Sequence, residues 1–124
     1  MQELLAIAAG GALGSVMRYL VSTGVYAVAG RGFPYGTLTV NVAGSLAMGL
    51  LFVLLIDRAG ADSFWRMALL VGFLGAFTTF STFSIETLNL MQGGEFTKAL
   101  VNILFSVTLC IAATWIGMRI GRLI

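Results

Sequence analysis

Asn41 is a polar amide inside a stretch, Gly36 to Ile56, that carries no charge. At helical rise it lies roughly 7 Å from the middle of that stretch. Thr37 and Ser45 share its face at four-residue spacing. An amide offers two N–H donors and a carbonyl acceptor, so in this setting Asn41 is either an interhelical hydrogen-bonding group or a donor facing a pore. The segment Phe77 to Ser84 is denser still, with five hydroxyls and three phenyl rings in eight positions. Phe80 and Phe83, three apart, share a helix face, with Ser84 and Thr87 close to it. A phenyl ring has a positive edge. Two rings presented edge-on, with Asn41 and serine hydroxyls donating beside them, replace part of the hydration of a small anion. That set holds no fixed positive charge, which suits passage better than tight binding. The competing assignment is a pair of ordinary core or lipid-facing aromatics.

Other polar residues interrupt the apolar background. Asn102, Ser106, Cys110 and Thr114 recur every four residues, a stripe that fits either a track for a hydrated ion or hydrogen bonding between helices. Arg18 either snorkels to the headgroups or stands at a vestibule, raising the local anion concentration. Glu86 is a solvent-reaching residue or a proton or cation site. Cys110 has no intrachain disulfide partner and reads as a small packing residue.

The elements that must position these groups follow from composition. The chain has 124 residues, 59% of them hydrophobic and only 10% charged, with a mean hydropathy of +1.00. That leaves too little polar surface for a water-soluble globule and places the chain in a lipid bilayer. With no His and one Pro, a His-ligated metal centre, a Ser-His-Asp or Cys-His nucleophile system and a proline-rich linker are excluded, and the chain reads as no enzyme. The net charge of +2 is spread over loops without a basic tract, so nucleic acid is not a partner.

A helix needs about twenty apolar residues to cross a hydrocarbon core of roughly 30 Å. Four stretches qualify: residues 4–24, 36–56, 64–91 and 99–118. The first lacks a basic leader and contains Arg18, so it reads as a retained span and not as a signal peptide. The fold class is therefore an all-α integral membrane protein, one domain over residues 1–124, with short connections and both termini on one side. Gly10, Gly11 and Gly14, Gly44, Gly72 and Gly75, and Gly117 with Gly121 allow close helix contact. The hydroxyl-rich run after Gly75 weakens helix propensity, so the third helix is predicted to break near its middle. Irregular backbone at membrane depth must be buried or line a cavity, where its carbonyls face a bound cation.

Four such helices enclose little on their own, so a pathway is expected where protomers meet. The loops carry Arg58, Arg66, Arg119 and Arg122 on the side of the N-terminus against Arg31 and Lys98 opposite, or three with Arg18. So weak a bias predicts insertion in both orientations and an antiparallel homodimer with a two-fold axis in the membrane plane. A small multidrug or guanidinium exporter shares this architecture. Its proton coupling needs a carboxylate in the middle of the first helix, where this chain has none after Glu3.

Three blocks carry a closer likeness: Gly10-Gly11-Ala12-Leu13-Gly14 leading to Arg18-Tyr19; Gly36 through Ser45 around Asn41; and Gly72 through Phe83, followed by Glu86. On these the sequence resembles the Fluc-type fluoride channels, a family of small bacterial fluoride exporters. The resemblance covers the first three helices in order and is loose on the fourth. It implies a dual-topology homodimer in the bacterial inner membrane with two fluoride pores, each built from both subunits, conducting fluoride passively and rejecting chloride. It further implies ring edges of Phe80 and Phe83 toward the ion, donation from Asn41, and a polar track of Ser81, Ser84, Ser106 and Thr114. Arg18 is placed near a vestibule. Backbone carbonyls of Gly75 and Thr78 would hold a structural sodium ion on the dimer axis. Cys110 stands where a hydroxyl is common in the family.

Overall fold

A computed structural model describes residues 1–58, 60 and 62–124. Among them every regular element is helical: α1 (Gln2–Ala29), α2 (Tyr35–Asp57), α3 (residues 63–77), α4 (Phe80–Gln92) and α5 (Phe96–Leu123). These form four units long and apolar enough to cross a membrane, Gln2–Ala29, Tyr35–Asp57, Ser63–Gln92 and Phe96–Leu123. The chain is thus an all-helical, multi-pass membrane protein.

The helices outrun the apolar stretches. α1 and α5 have 28 residues each, about 42 Å at 1.5 Å per residue, so both project past the hydrocarbon into the headgroup layer. Hydropathy marks only the greasy part of a helix. Tyr26, expected at the start of a loop, is therefore helical, and α1 ends only where Gly30 takes a left-handed φ of 82°. Five residues then lead into α2, with Pro34 at its N-cap.

Packing is organised as two close pairs, α1 on α3 and α2 on α5, joined by contact between α1 and α2. Hydrocarbon gives helices no hydrophobic reason to associate, so contact must come from dispersion at short range, and small residues supply it. A Cβ on Gly10 or Gly14 would collide with the backbone carbonyls of Ala68 and Phe73 across the seam. One on Gly72 would stand 2.8 Å from the Ile7 carbonyl. The α2–α5 seam closes the same way at Gly49 and Gly117, where a Cβ on Gly117 would lie 2.8 Å from the Leu50 amide nitrogen. Two glycines read as contacts differ: a Cβ on Gly11 or Gly75 meets nothing nearer than 3.9 or 3.8 Å. Gly11 sits one helical step, about 100°, from the seam glycine Gly10, and Gly75 is exposed. Opposite α1, Met67–Leu74 is wound as a wider π-helix.

Loop cations finish the ends. Arg58 donates to the Gly121 carbonyl at 3.1 Å in the last turn of α5, where positive charge is favoured. On the opposite side Lys98 donates to the Gly32 carbonyl at 3.0 Å. Large apolar side chains such as Leu13, Leu20, Leu104 and Ile111 point outward, as lipid or another membrane helix requires.

Candidate functional site

The central feature is an interruption between α3 and α4. The helix stops at Phe77; Thr78 (φ −84°, ψ 157°) and Thr79 (φ −151°, ψ 114°) are extended, and helix resumes at Phe80. Three side chains meet the backbone groups this exposes. Asn41 of α2 accepts from the Thr79 N–H at 2.7 Å and donates to the Thr79 carbonyl at 3.0 Å. The Thr79 hydroxyl caps α4 by accepting from the Thr82 N–H at 3.2 Å, and the Thr78 hydroxyl donates back to the Leu74 carbonyl at 2.9 Å. Behind the turn Phe73 and Phe77 stack with centroids 5.9 Å apart. Gly44 gives the turn room, since a Cβ there would strike the Thr78 methyl.

These bonds have a consequence for carbonyls. In an unbroken helix the Thr79 N–H would serve the Gly75 carbonyl and the Thr82 N–H that of Thr78. Both donors are diverted, to Asn41 and to the Thr79 hydroxyl. The carbonyls of Gly75 and Thr78 are thereby released from the ladder, and Gly75 is exposed on the protein's outer face.

Beside the turn runs a groove of about 410 Å³ between α2, α4 and α5. Asn41, Ser45, Phe80, Phe83, Ser106, Cys110 and Thr114 all line it, together with Met48, Val107 and Ile111, which carry no polar signal in sequence. The groove bears no charged side chain. The two rings border it with centroids 5.3 Å apart and planes tilted by 43°. Phe83 is half-buried, whereas Phe80 is 77% exposed and packs on little else within the chain. Along α5 the groove continues into a second recess lined by Ser45, Cys110, Thr114, Trp115 and Met118.

Other residues singled out from sequence stand elsewhere. Ser81 and Ser84 are exposed, away from the groove, and the Ser84 hydroxyl turns back to the Phe80 carbonyl at 2.9 Å. Arg18 lines neither recess. Its Nε is shielded without a hydrogen-bond partner among the described residues, and with α1 reaching Ala29 it lies about 16 Å from the end of its helix. Arg31 does border a cavity, and its guanidinium carbon lies 4.6 Å from the Tyr26 ring centroid. The recess there, about 350 Å³, is lined by Tyr26, Arg31, Pro34, Glu86 and Asn89. Within it Tyr26 donates to Glu86 Oε2 at 2.9 Å and Thr37 donates to Oε1. The sequence marks Glu86 and Thr37 separately but not their meeting, because Tyr26 lies beyond the apolar stretch that ends at residue 24.

Comparison with known proteins identifies the family. A sequence model of the CrcB-like protein family (Camphor Resistance, CrcB) matches residues 5–118. A Magnetococcus marinus protein named fluoride-specific ion channel FluC is 56% identical over 118 residues, covering 95% of this chain and 96% of that one. A Coxiella burnetii protein of the same name is 51% identical over 121 residues, 97% of this chain and 98% of its own. A third, from Methylococcus capsulatus, is 54% identical over 120 residues, but this chain spans only 53% of its length.

Proposed function

Since the chain belongs to the CrcB-like protein family, we propose that it is a passive fluoride channel of the bacterial inner membrane and no enzyme. The observation that carries this reading is the groove, which brings Asn41, the rings of Phe80 and Phe83, Ser106 and Thr114 to one uncharged surface. Fluoride is small and strongly hydrated. It enters only where donors and ring edges replace its water, and without a fixed cation it is not trapped. Full-length likeness to fluoride channels sets the exporter reading aside.

The groove is half of a pore, and a second, antiparallel copy of the chain supplies the other half. Supporting this, the hydroxyl residues Ser81 and Ser84 lie exposed near the turn beside Phe80 and Gly75, and hydroxyls gain nothing from facing lipid. Two copies related by a two-fold axis in the membrane plane have two equivalent grooves and so two pores. Where the copies meet, the Gly75 and Thr78 carbonyls form a site for a structural sodium ion. Their release from the helical ladder fits a hard cation that takes oxygen ligands. Bound sodium would supply positive charge joining the two breaks. Ser81 and Ser84 belong to the pore wall contributed across the interface, and Arg18 to a vestibule.

The physiological direction follows from acid–base chemistry. Hydrogen fluoride crosses bilayers as the neutral acid and dissociates in a less acidic cytoplasm, where the anion is held. Across a negative-inside membrane each exported anion gains roughly 2.3 kcal/mol per 100 mV, so an open selective pore suffices to protect the cell.

The decisive experiment is passive efflux from proteoliposomes loaded with equal fluoride and chloride, started with valinomycin and followed by ion-selective electrodes. Rapid fluoride release with chloride retained is the expected result. Absence of fluoride release from liposomes containing verified dimers would overturn the assignment.

A further inference from the structure

Thr87 on α4 and Asn102 and Ser106 on α5 form a chain of buried polar side chains, with exposures of 7%, 2% and 8%. Its polarity is fixed from one end. The Thr87 hydroxyl lies 2.7 Å from the Phe83 carbonyl, which only accepts, so Thr87 spends its single hydrogen there. Only lone pairs then face Asn102, whose NH2 group must be the partner, at 2.9 Å. The amide oxygen is thereby turned toward Ser106, which donates its own single hydrogen to it at 3.3 Å. Ser106 borders the groove, yet in this arrangement it offers the groove lone pairs, which repel an anion. The restraint is weak, because hydroxyl donors ordinarily sit 2.7–2.8 Å from an oxygen acceptor.

Resting on the reading of the groove as a fluoride pathway, we propose that Asn102 is a positioning residue that holds the Ser106 proton away from the empty groove and yields it to an arriving anion. The anion competes with a carbonyl oxygen for the same hydrogen, so it gains only the difference between two hydrogen bonds and leaves readily. Asn102 itself contacts no ion. It acts through the direction of one O–H bond, and that direction is imposed from the backbone carbonyl of Phe83, itself one of the two ring residues, through Thr87 one turn further along α4.

The test is fluoride efflux measured against fluoride concentration for wild type, Asn102→Leu, Ser106→Ala and the double variant. Leucine keeps the γ-branched shape, though it is larger, and removes the acceptor, freeing the Ser106 proton for the groove. The half-saturating fluoride concentration is expected to fall about two- to tenfold, the range one neutral hydrogen bond confers, while maximal flux falls because release slows. With Ser106→Ala in place, Asn102→Leu should shift half-saturation no further. Thr87→Val is a second route: it frees the amide to rotate and donate to Ser106, and should lower half-saturation in the same direction even if the leucine variant does not assemble. Unchanged half-saturation in both single variants, or an equal shift in the Ser106→Ala background, would overturn the proposal. Wild-type protein that conducts no fluoride would instead overturn the pathway on which it rests.

Discussion

The side-chain amide of Asn41 and the backbone of Thr79 are joined by two hydrogen bonds, one in each direction, at 2.7 and 3.0 Å. One side chain thus satisfies both polar groups of an extended residue at membrane depth, where unpaired backbone is costly. The amide retains one N–H hydrogen for the groove. Interhelical bonding and pore lining, alternatives in the sequence, are compatible here because an amide has donors enough for both.

Asn41→Leu should therefore be both unstable and inactive. Loss of the two bonds leaves Thr79 unpaired at a cost on the order of 1–3 kcal/mol, visible as a lower unfolding temperature in detergent. Asn41→Asp keeps an acceptor for the Thr79 N–H but puts negative charge on the groove. Its fluoride flux should fall more than about a hundredfold, since like charges a few ångströms apart in an intermediate dielectric repel by several kcal/mol. An Asp variant conducting at the wild-type rate would remove Asn41 from the ion's path.

Phe80 separates conduction from stability more cleanly. With 77% of its surface exposed within the protomer, Phe80→Ile should change protomer stability by under about 0.5 kcal/mol and leave detergent sizing unaltered, while fluoride efflux is suppressed. Phe83→Ile should also suppress efflux, with a larger stability loss because that ring is half-buried. Unaltered efflux in both variants would exclude the rings from the mechanism.

Glycines of the two seams should be intolerant in a position-specific way. Gly117→Ala drives a methyl into the Leu46 carbonyl and should destabilise by about 1–3 kcal/mol, as overpacking does. Gly24→Ala meets open space in the same kind of helix and should be neutral or gain up to about 1 kcal/mol. Thermal unfolding of the pair in one detergent compares them directly.

Dual orientation is tested by a cysteine-free protein bearing a C-terminal tag. Membrane-impermeant labelling should reach the tag on both faces of the membrane in comparable amounts; labelling on one face alone would exclude the antiparallel dimer.

A bound sodium ion predicts that purification and reconstitution with sodium replaced throughout by N-methylglucamine should reduce fluoride flux at least about tenfold, with recovery when sodium is restored before reconstitution. Full activity without sodium at any stage would exclude a required cation.

Much of this protein is decided locally. Hydropathy over twenty-residue windows sets the number of spans, because the bilayer charges each exposed polar group the same penalty whatever the rest of the chain does. The same local chemistry marks Asn41, Phe80 and Phe83, which are conspicuous because lipid disfavours or has no use for their arrangement. Helix ends were less legible, as Tyr26 shows: beyond the hydrocarbon, hydropathy carries no information about whether a helix continues. What tertiary structure alone decided is which groups meet. Thr79 finds Asn41 across 38 residues, Tyr26 finds Glu86 across 60, and Ser106 is turned by an amide whose orientation originates at Phe83. Hydrogen bonds act over about 3 Å in space and are blind to separation along the chain, so spacing can nominate polar residues but cannot pair them or fix where their protons point.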